Sequence, residues 1–271
     1  MKYFEDRTRM SYIAHLHTNF ASKAFSSEIK KAIEKTVIYD KTPSCPKDED
    51  SGVNISIVKS THQDIIKSSI IREEIDSGKI VCVHNFASYK SAGGLFLVGS
   101  TAQEESLCHN SALYNVLRKF EDKYYHKNRN ELNRGLYRNI ALYSPGIPFW
   151  SNNVDVNIAR NESILVDVLT CASPNASIMQ RFRLFNQNEN FIALKSRIEF
   201  IWKILGNRKV DTFITGAFGC GVFKQDPVLV ADIMMSIIDK NRAYPSRVIF
   251  AIPDDDNYQD FLKVISFRMK K

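Results

Sequence analysis

The stretch Lys79–Glu105, KIVCVHNFASYKSAGGLFLVGSTAQEE, decides the fold. It begins with Ile80, Val81, Val83 and Phe86, crowded together as in a buried strand. Gly93 and Gly94 then interrupt it, where a bare backbone can come close to a ligand. From about Ala102 the pattern predicts a long helix, reaching Tyr124. Strand, glycine loop and helix form the repeating unit of layered α/β proteins, which bind ligands at the carboxyl ends of their strands.

Working outward, the same alternation continues. Val53–Lys59, Arg138–Tyr143, Ser163–Leu169, Val210–Ile214 and Arg247–Ile252 read as strands. Ser27–Ile38, Asp64–Ser77, Met179–Leu205, Asp226–Ile238 and Asn257–Ser266 read as helices, with Pro227 suited to a first helical turn. Lys41–Gly52 holds two prolines and several acids, and reads as a surface connection. The expectation is a three-layer α/β/α domain with a mixed sheet over residues 1–271, carrying an N-terminal helical extension, residues 1–52, packed on it.

Composition narrows the class of function. The chain has 271 residues, 44% apolar and 25% charged, which is ordinary for a globular domain and argues against disorder. No apolar run approaches the ~20 residues that span a bilayer, and Met1–Arg9 has no apolar leader core. Five dispersed cysteines without a CxxC pair fit neither a disulfide framework nor a zinc ribbon, so a reducing, cytoplasmic location is expected. The histidines are scattered, and the near pair His15 and His17 reads as surface. No metal or cofactor is expected. The net charge of +7 favours an anionic partner, although acids are spread among the bases as on a solvated face.

Two loops carry the chemistry. In the first, Glu104 and Glu105 stand together at a helix start, where backbone N–H groups favour negative charge. Thr101-x-x-Glu104 fits a capping box, which would make Glu104 a structural cap; Glu105 has no such duty. Successive helical residues point about 100° apart, so one acid can cap while the other faces the loop. The second loop, Thr215–Phe223, reads TGAFGCGVF between a strand and a helix. Its glycines can present amides to a phosphate, but no Gly-Lys-Ser/Thr follows, so it is not a Walker A loop. The alternative is a tight strand-to-helix turn.

Together these loops resemble the microbial type of poly(ADP-ribose) glycohydrolase, a branch of the macrodomain superfamily. That family reads Asn-Phe-Ala, Pro-Gly-Gly-Gly and Gln-Glu-Glu-x-Leu-Cys, then Gly-Ala-Trp-Gly-Cys-Gly-x-Phe. This chain has Asn85-Phe86-Ala87, Ala92-Gly93-Gly94-Leu95 and Gln103-Glu104-Glu105-Ser106-Leu107-Cys108, then Gly216-Ala217-Phe218-Gly219-Cys220-Gly221-Val222-Phe223. Tyr143-Ser144-Pro145 and Leu169–Asn175 are also similar.

The resemblance implies a macrodomain-like fold and an ADP-ribosyl glycohydrolase acting on poly- or mono-ADP-ribose. Glu105 would be the catalytic acid, and Glu104 would hold the distal ribose hydroxyls. Gly93, Gly94, Leu95 and Asn85 would line that ribose, and Gln103 would fix the catalytic loop. Gly216, Ala217, Phe218, Gly219, Cys220, Gly221 and Val222 would cradle the diphosphate, with Phe223 toward the proximal ribose or adenine. Breaking a ribosyl bond needs a proton for the departing oxygen, and a buried carboxyl beside another is suited to hold one.

Leu95 replaces the family's third glycine and Ala92 its proline. A side chain at Leu95 could obstruct the backbone approach, which keeps a second reading open, that of a non-catalytic ADP-ribose reader. A third reading is nucleic-acid binding through Arg118-Lys119, Lys123–Lys127 and Arg268–Lys271, which match no reading motif. The partners expected are ADP-ribose or an ADP-ribosylated protein or nucleic acid, with no membrane, and the chain is expected to be a monomer. Tyr89 and Tyr114 are candidates for stacking on a base or for the core.

Overall fold

The computed structural model describes residues 2–45, 52–151, 155–240 and 243–270. Its strands are β1 (Val37–Tyr39), β2 (Asn54–Val58), β3 (Val81–Phe86), β4 (Ala141–Phe149), β5 (Ile164–Cys171), β6 (Thr212–Thr215) and β7 (Arg247–Ala251). They form one sheet in the order β1-β4-β5-β3-β6-β7-β2. The pairs β1·β4 and β4·β5 are antiparallel; the remaining pairs are parallel. Because β3 and β6 are parallel neighbours, the two glycine loops that follow them leave the same edge of the sheet.

The helices are α1 (Lys2–Ala24), α2 (Ser26–Lys35), α3 (His62–Ile66), α4 (Ser69–Asp76), α5 (Gln103–His109), α6 (Leu113–Leu117), α7 (His126–Asn130), α8 (Val156–Glu162), α9 (Ala176–Arg181), α10 (Gln187–Asn207), α11 (Pro227–Ile238) and α12 (Asp255–Met269). Alternation along the strands divides the interior in two. Val81, Val83, Val166, Val168, Ile214 and Ile249 face a core with residues of α1, α2, α5 and α6. Cys82, Leu169, Phe213, Val248 and Phe250 face a second core with α10, α11 and α12. Each fully buried aliphatic side chain contributes roughly 1.5–3 kcal/mol. The expected α/β/α layering and mixed sheet are present, with helices at the N-terminus.

Several elements differ from the sequence expectation. The helix expected over Ser27–Ile38 ends at Lys35. Thr36 is extended, and Val37–Tyr39 pair with Tyr143, Leu142 and Ala141, so the sheet edge captures these β-prone residues. Asp64–Ser77 is two helices, because the Ser68 hydroxyl caps α4 at the Ile71 amide. The helix expected over Ala102–Tyr124 breaks after His109. There Ser111 bridges to Phe149 and the Ala112 amide donates to Pro148 O, so pairing to β4 replaces helical bonds. A 3₁₀ turn and a π-helical turn, Glu121–Tyr125, carry the chain on to α7.

Met179–Leu205 is split between α9 and α10, where Arg183 turns left-handed (φ 55°) and Asn186 caps the second helix. The strand expected over Arg138–Tyr143 runs on to Phe149 through a bulge between Ser144 and Ile147. Asp167 pins this bulge, accepting from Tyr143 Oη at 2.6 Å and Gly146 N at 2.8 Å. Of the expected loop Lys41–Gly52, residues 46–51 lie outside the described residues.

His17 is not a surface residue. It is buried, stacked on Trp150 with ring centroids 4.8 Å apart, and its Nε2 lies 2.9 Å from Ser111 O. Only His15 of the pair is exposed. Burying an imidazole is compatible with stability here because a backbone partner and an aromatic face receive it. Tyr89 is also core, stacked on Tyr137 at 4.0 Å, whereas Tyr114 is half-buried.

Candidate active site

The site is built where β3 ends and α5 begins. Gln103 ties the two together. Its Oε1 accepts from Phe86 N at 2.8 Å, and its Nε2 donates to His84 O at 2.8 Å. Ala102 is the N-cap of α5 and makes no side-chain cap bond. The expected capping box is therefore absent, because both oxygens of Glu104 are engaged elsewhere. Oε2 accepts from Ser88 N at 2.6 Å, and Oε1 accepts from Asn85 Nδ2 at 3.2 Å. Asn85 also donates to Thr170 Oγ1 at 3.2 Å, which fastens the acid to β5. Glu105 Oε1 accepts from Leu95 N at 2.8 Å, and its Oε2 accepts no hydrogen bond among the described residues.

Both acids are buried, Glu104 to 3% and Glu105 to 6% exposure. Burial pushes the Glu104 carboxyl up to about 8, and the neighbouring Glu105 charge adds to this against the Ser88 and Asn85 donors. The acids converge on Gly94. A Cβ placed there would lie 2.5 Å from Glu105 Oε1 and 3.0 Å from Glu104 Oε2. Gly94 also has φ +60°, so both its conformation and its crowding require glycine. Near neutrality Glu104 therefore holds a proton.

They open into a cleft of about 470 Å³. Its walls bring together Gly94, Leu95, Gln103, Glu104 and Glu105 with Ala217, Phe218, Gly219, Gly221, Val222 and Phe223. Other sequence-selected residues stand behind the walls. Asn85 supports Glu104, Gly93 packs on Tyr114 and Cys108, Gly216 packs on Ala251 O, and Cys220 is buried in the second core. Phe218 forms a buried floor against His84 and Phe86, with centroids 4.5 and 5.5 Å away. The amides of Gly219, Gly221 and Val222 donate to no acceptor among the described residues, which leaves them for a ligand anion.

The structure adds residues that sequence reading missed. Ser88, Ser91, Ser100 and Ser173 line the cleft. A second depression of about 260 Å³ shares Phe86, Ala102, Gln103, Ala217 and Gly221 with it. Its far wall is Thr61, His62, Gln63, Pro253, Asp254 and Asn257, from the turns after β2 and β7 and the first turns of α3 and α12. His62 is buried, and burial lowers its pKa to about 4, so it is neutral at physiological pH. The only sequence signal for this lobe was that both loops follow strands.

Leu95 does not strain the backbone. Its φ is −109°, which any residue adopts, and its side chain is 54% exposed at the rim. Among the described residues no helix is long and apolar enough to cross a membrane.

The sheet order, the helical layers and the acid pair at the strand ends are those of a macrodomain-like α/β/α domain. Residues 8–152 match the family model described as the catalytic domain of microbial-type PARG, poly(ADP-ribose) glycohydrolase. The chain belongs to this family and is an ADP-ribosyl glycohydrolase. Comparison with curated proteins gave no match. Among solved structures, the poly(ADP-ribose) glycohydrolase of Thermomonospora curvata is 23% identical with a TM-score of 0.80, the match covering 95% of this chain and 99% of that one. The same protein bound to the inhibitor ADP-HPD is 24% identical over 94% and 99%, with a TM-score of 0.78. The Deinococcus radiodurans enzyme in complex with ADP-ribose is 22% identical over 88% and 97%, with a TM-score of 0.74. These likenesses establish the fold.

Proposed function

We propose that this chain hydrolyses the bond at C1″ of the distal ribose of ADP-ribose, with Glu105 transferring the proton. The observation that carries the assignment is the unequal bonding of the acids. Glu104 has both oxygens committed, whereas Glu105 has one oxygen held by the Leu95 amide and one without a partner in the cleft wall. The C1″–O bond breaks through an oxocarbenium-like state, and Glu105 delivers a proton to the departing oxygen. Water then adds to C1″ and returns its proton to Glu105. Glu104 positions the ribose hydroxyls.

The free amides of Gly219, Gly221 and Val222 take the diphosphate, whose charge opposes the developing cation. The depression with Phe86 and neutral His62 takes the nucleobase end. ADP-ribose on a polymer, a protein or a nucleic acid supplies the bond to be cut, and the chain acts as a monomer.

The test is release of ADP-ribose from poly(ADP-ribosyl)ated protein and from single ADP-ribose groups on defined linkages. Glu105→Gln keeps an acceptor for the Leu95 amide but transfers no proton. Turnover falls about 10²–10⁴-fold, while calorimetric affinity for ADP-ribose is retained. Turnover near the wild-type rate in that variant refutes the role of Glu105.

A further inference from the structure

The cleft does not end at Leu95. On the other side of this residue lies a groove of about 370 Å³, which shares Ser91, Gly94 and Leu95 with the cleft. The chain dividing the two spaces is the segment whose Leu95 amide holds the catalytic acid. A group leaving from C1″ past Glu105 therefore meets this groove.

Its lining is apolar with one unbalanced charge. Leu95 and Val98 are 54% and 52% exposed, and the half-buried ring of Tyr114 stands beside them. Water-facing aliphatic side chains in a concave wall are suited to a flat apolar face. Arg118 borders the groove, and no carboxylate lies within 4.0 Å of it among the described residues. The acid of the same rim, Glu121, is held by Arg129 at 2.6 Å. Arg118 also borders the next depression, together with Lys30 and Lys119. Beyond the groove the surface thus carries three bases against the one acid Glu34.

We propose that this groove is a leaving-group subsite that takes the adenosine diphosphate portion of the penultimate unit of an ADP-ribose chain. Leu95, Val98 and Tyr114 receive the base, and Arg118 pairs with the diphosphate. The chemistry matches in order. A nucleoside attached through a ribose hydroxyl lies next to the scissile bond, and its diphosphate follows. On this reading Leu95 is a specificity-determining residue for the polymer. The inference rests on the proposed cleavage at C1″.

The experiment uses the whole chain carrying Glu105→Gln, in which turnover is slowed about 10²–10⁴-fold, and calorimetry with ADP-ribose and with its linear dimer. The dimer is expected to bind about tenfold tighter, the ~1.4 kcal/mol at the low end for a charged hydrogen bond. Adding Arg118→Glu removes that preference and leaves the ADP-ribose affinity as internal control; Arg118→Lys keeps part of it. Raising salt erodes the preference before it erodes monomer binding. Equal affinities for the two ligands overturn the subsite, as does a preference that survives Arg118→Glu. Binding of neither ligand overturns the underlying glycohydrolase reading as well, which separates the two failures.

Discussion

Glu104→Gln removes a titrating group from a pocket that keeps its proton far above the ordinary carboxylate range. The wild-type carboxyl ionises at about 8 when folded, against an ordinary value of 4.5. The folded state therefore binds more protons than the unfolded state between those limits. That contribution is fully present below the lower value and is lost as pH rises through about 8. The slope is about 1.4 kcal/mol per pH unit, or roughly 4 kcal/mol between about pH 5 and 8. A glutamine side chain fits the same contacts if the Asn85 amide turns over. Asn85 Oδ1, which is buried and has no partner, then accepts from the introduced amide while the Thr170 hydroxyl reverses to donate. Melting temperatures measured across this pH range should show wild type losing stability relative to the variant by roughly 10 °C. Parallel curves for the two proteins would refute the assignment of the proton to Glu104.

Gly94→Ala places a methyl group 2.5 Å from Glu105 Oε1 in a left-handed conformation. It is expected to abolish ADP-ribose release and to cost about 1–3 kcal/mol in urea unfolding, with both effects larger than for alanine at the open Gly221. His17→Ala removes the ring between Trp150 and Ser111 O, and should lower stability by about 2–4 kcal/mol. Retained thermal stability in that variant would mean that α1 is not anchored by the stack.

The two loops were legible because their chemistry is local. Glycines, adjacent acids and the strand-helix alternation are all written within short windows. What was not legible depends on partners distant in sequence. Val37–Tyr39 became a strand because β4 offered an edge, and the break at Ser111 came from pairing with Phe149. Thr101 stood at capping distance from Glu104, but Asn85 and Ser88 outcompeted the cap. His17 is polar in composition and buried in fact, because Trp150 and Ser111 meet it from far along the chain. The second lobe was missed because sheet order, which sequence spacing does not reveal, brings the loops after β2 and β7 beside β6.

Gly99 has φ +82°, and the space where its side chain would stand is filled by the Arg7 carbonyl oxygen, with Ser11 N 3.0 Å away. One turn on, the Ser11 hydroxyl donates to Leu97 O at 2.6 Å. The first helix is thus bolted to the strip that carries the Leu95 amide, and through it to Glu105. Anyone expressing this protein inherits the consequence. A fusion tag or trimmed start that disturbs residues 7–11 reaches the acid pair of the cleft, and is expected to show as slowed ADP-ribose release rather than as a lowered melting temperature.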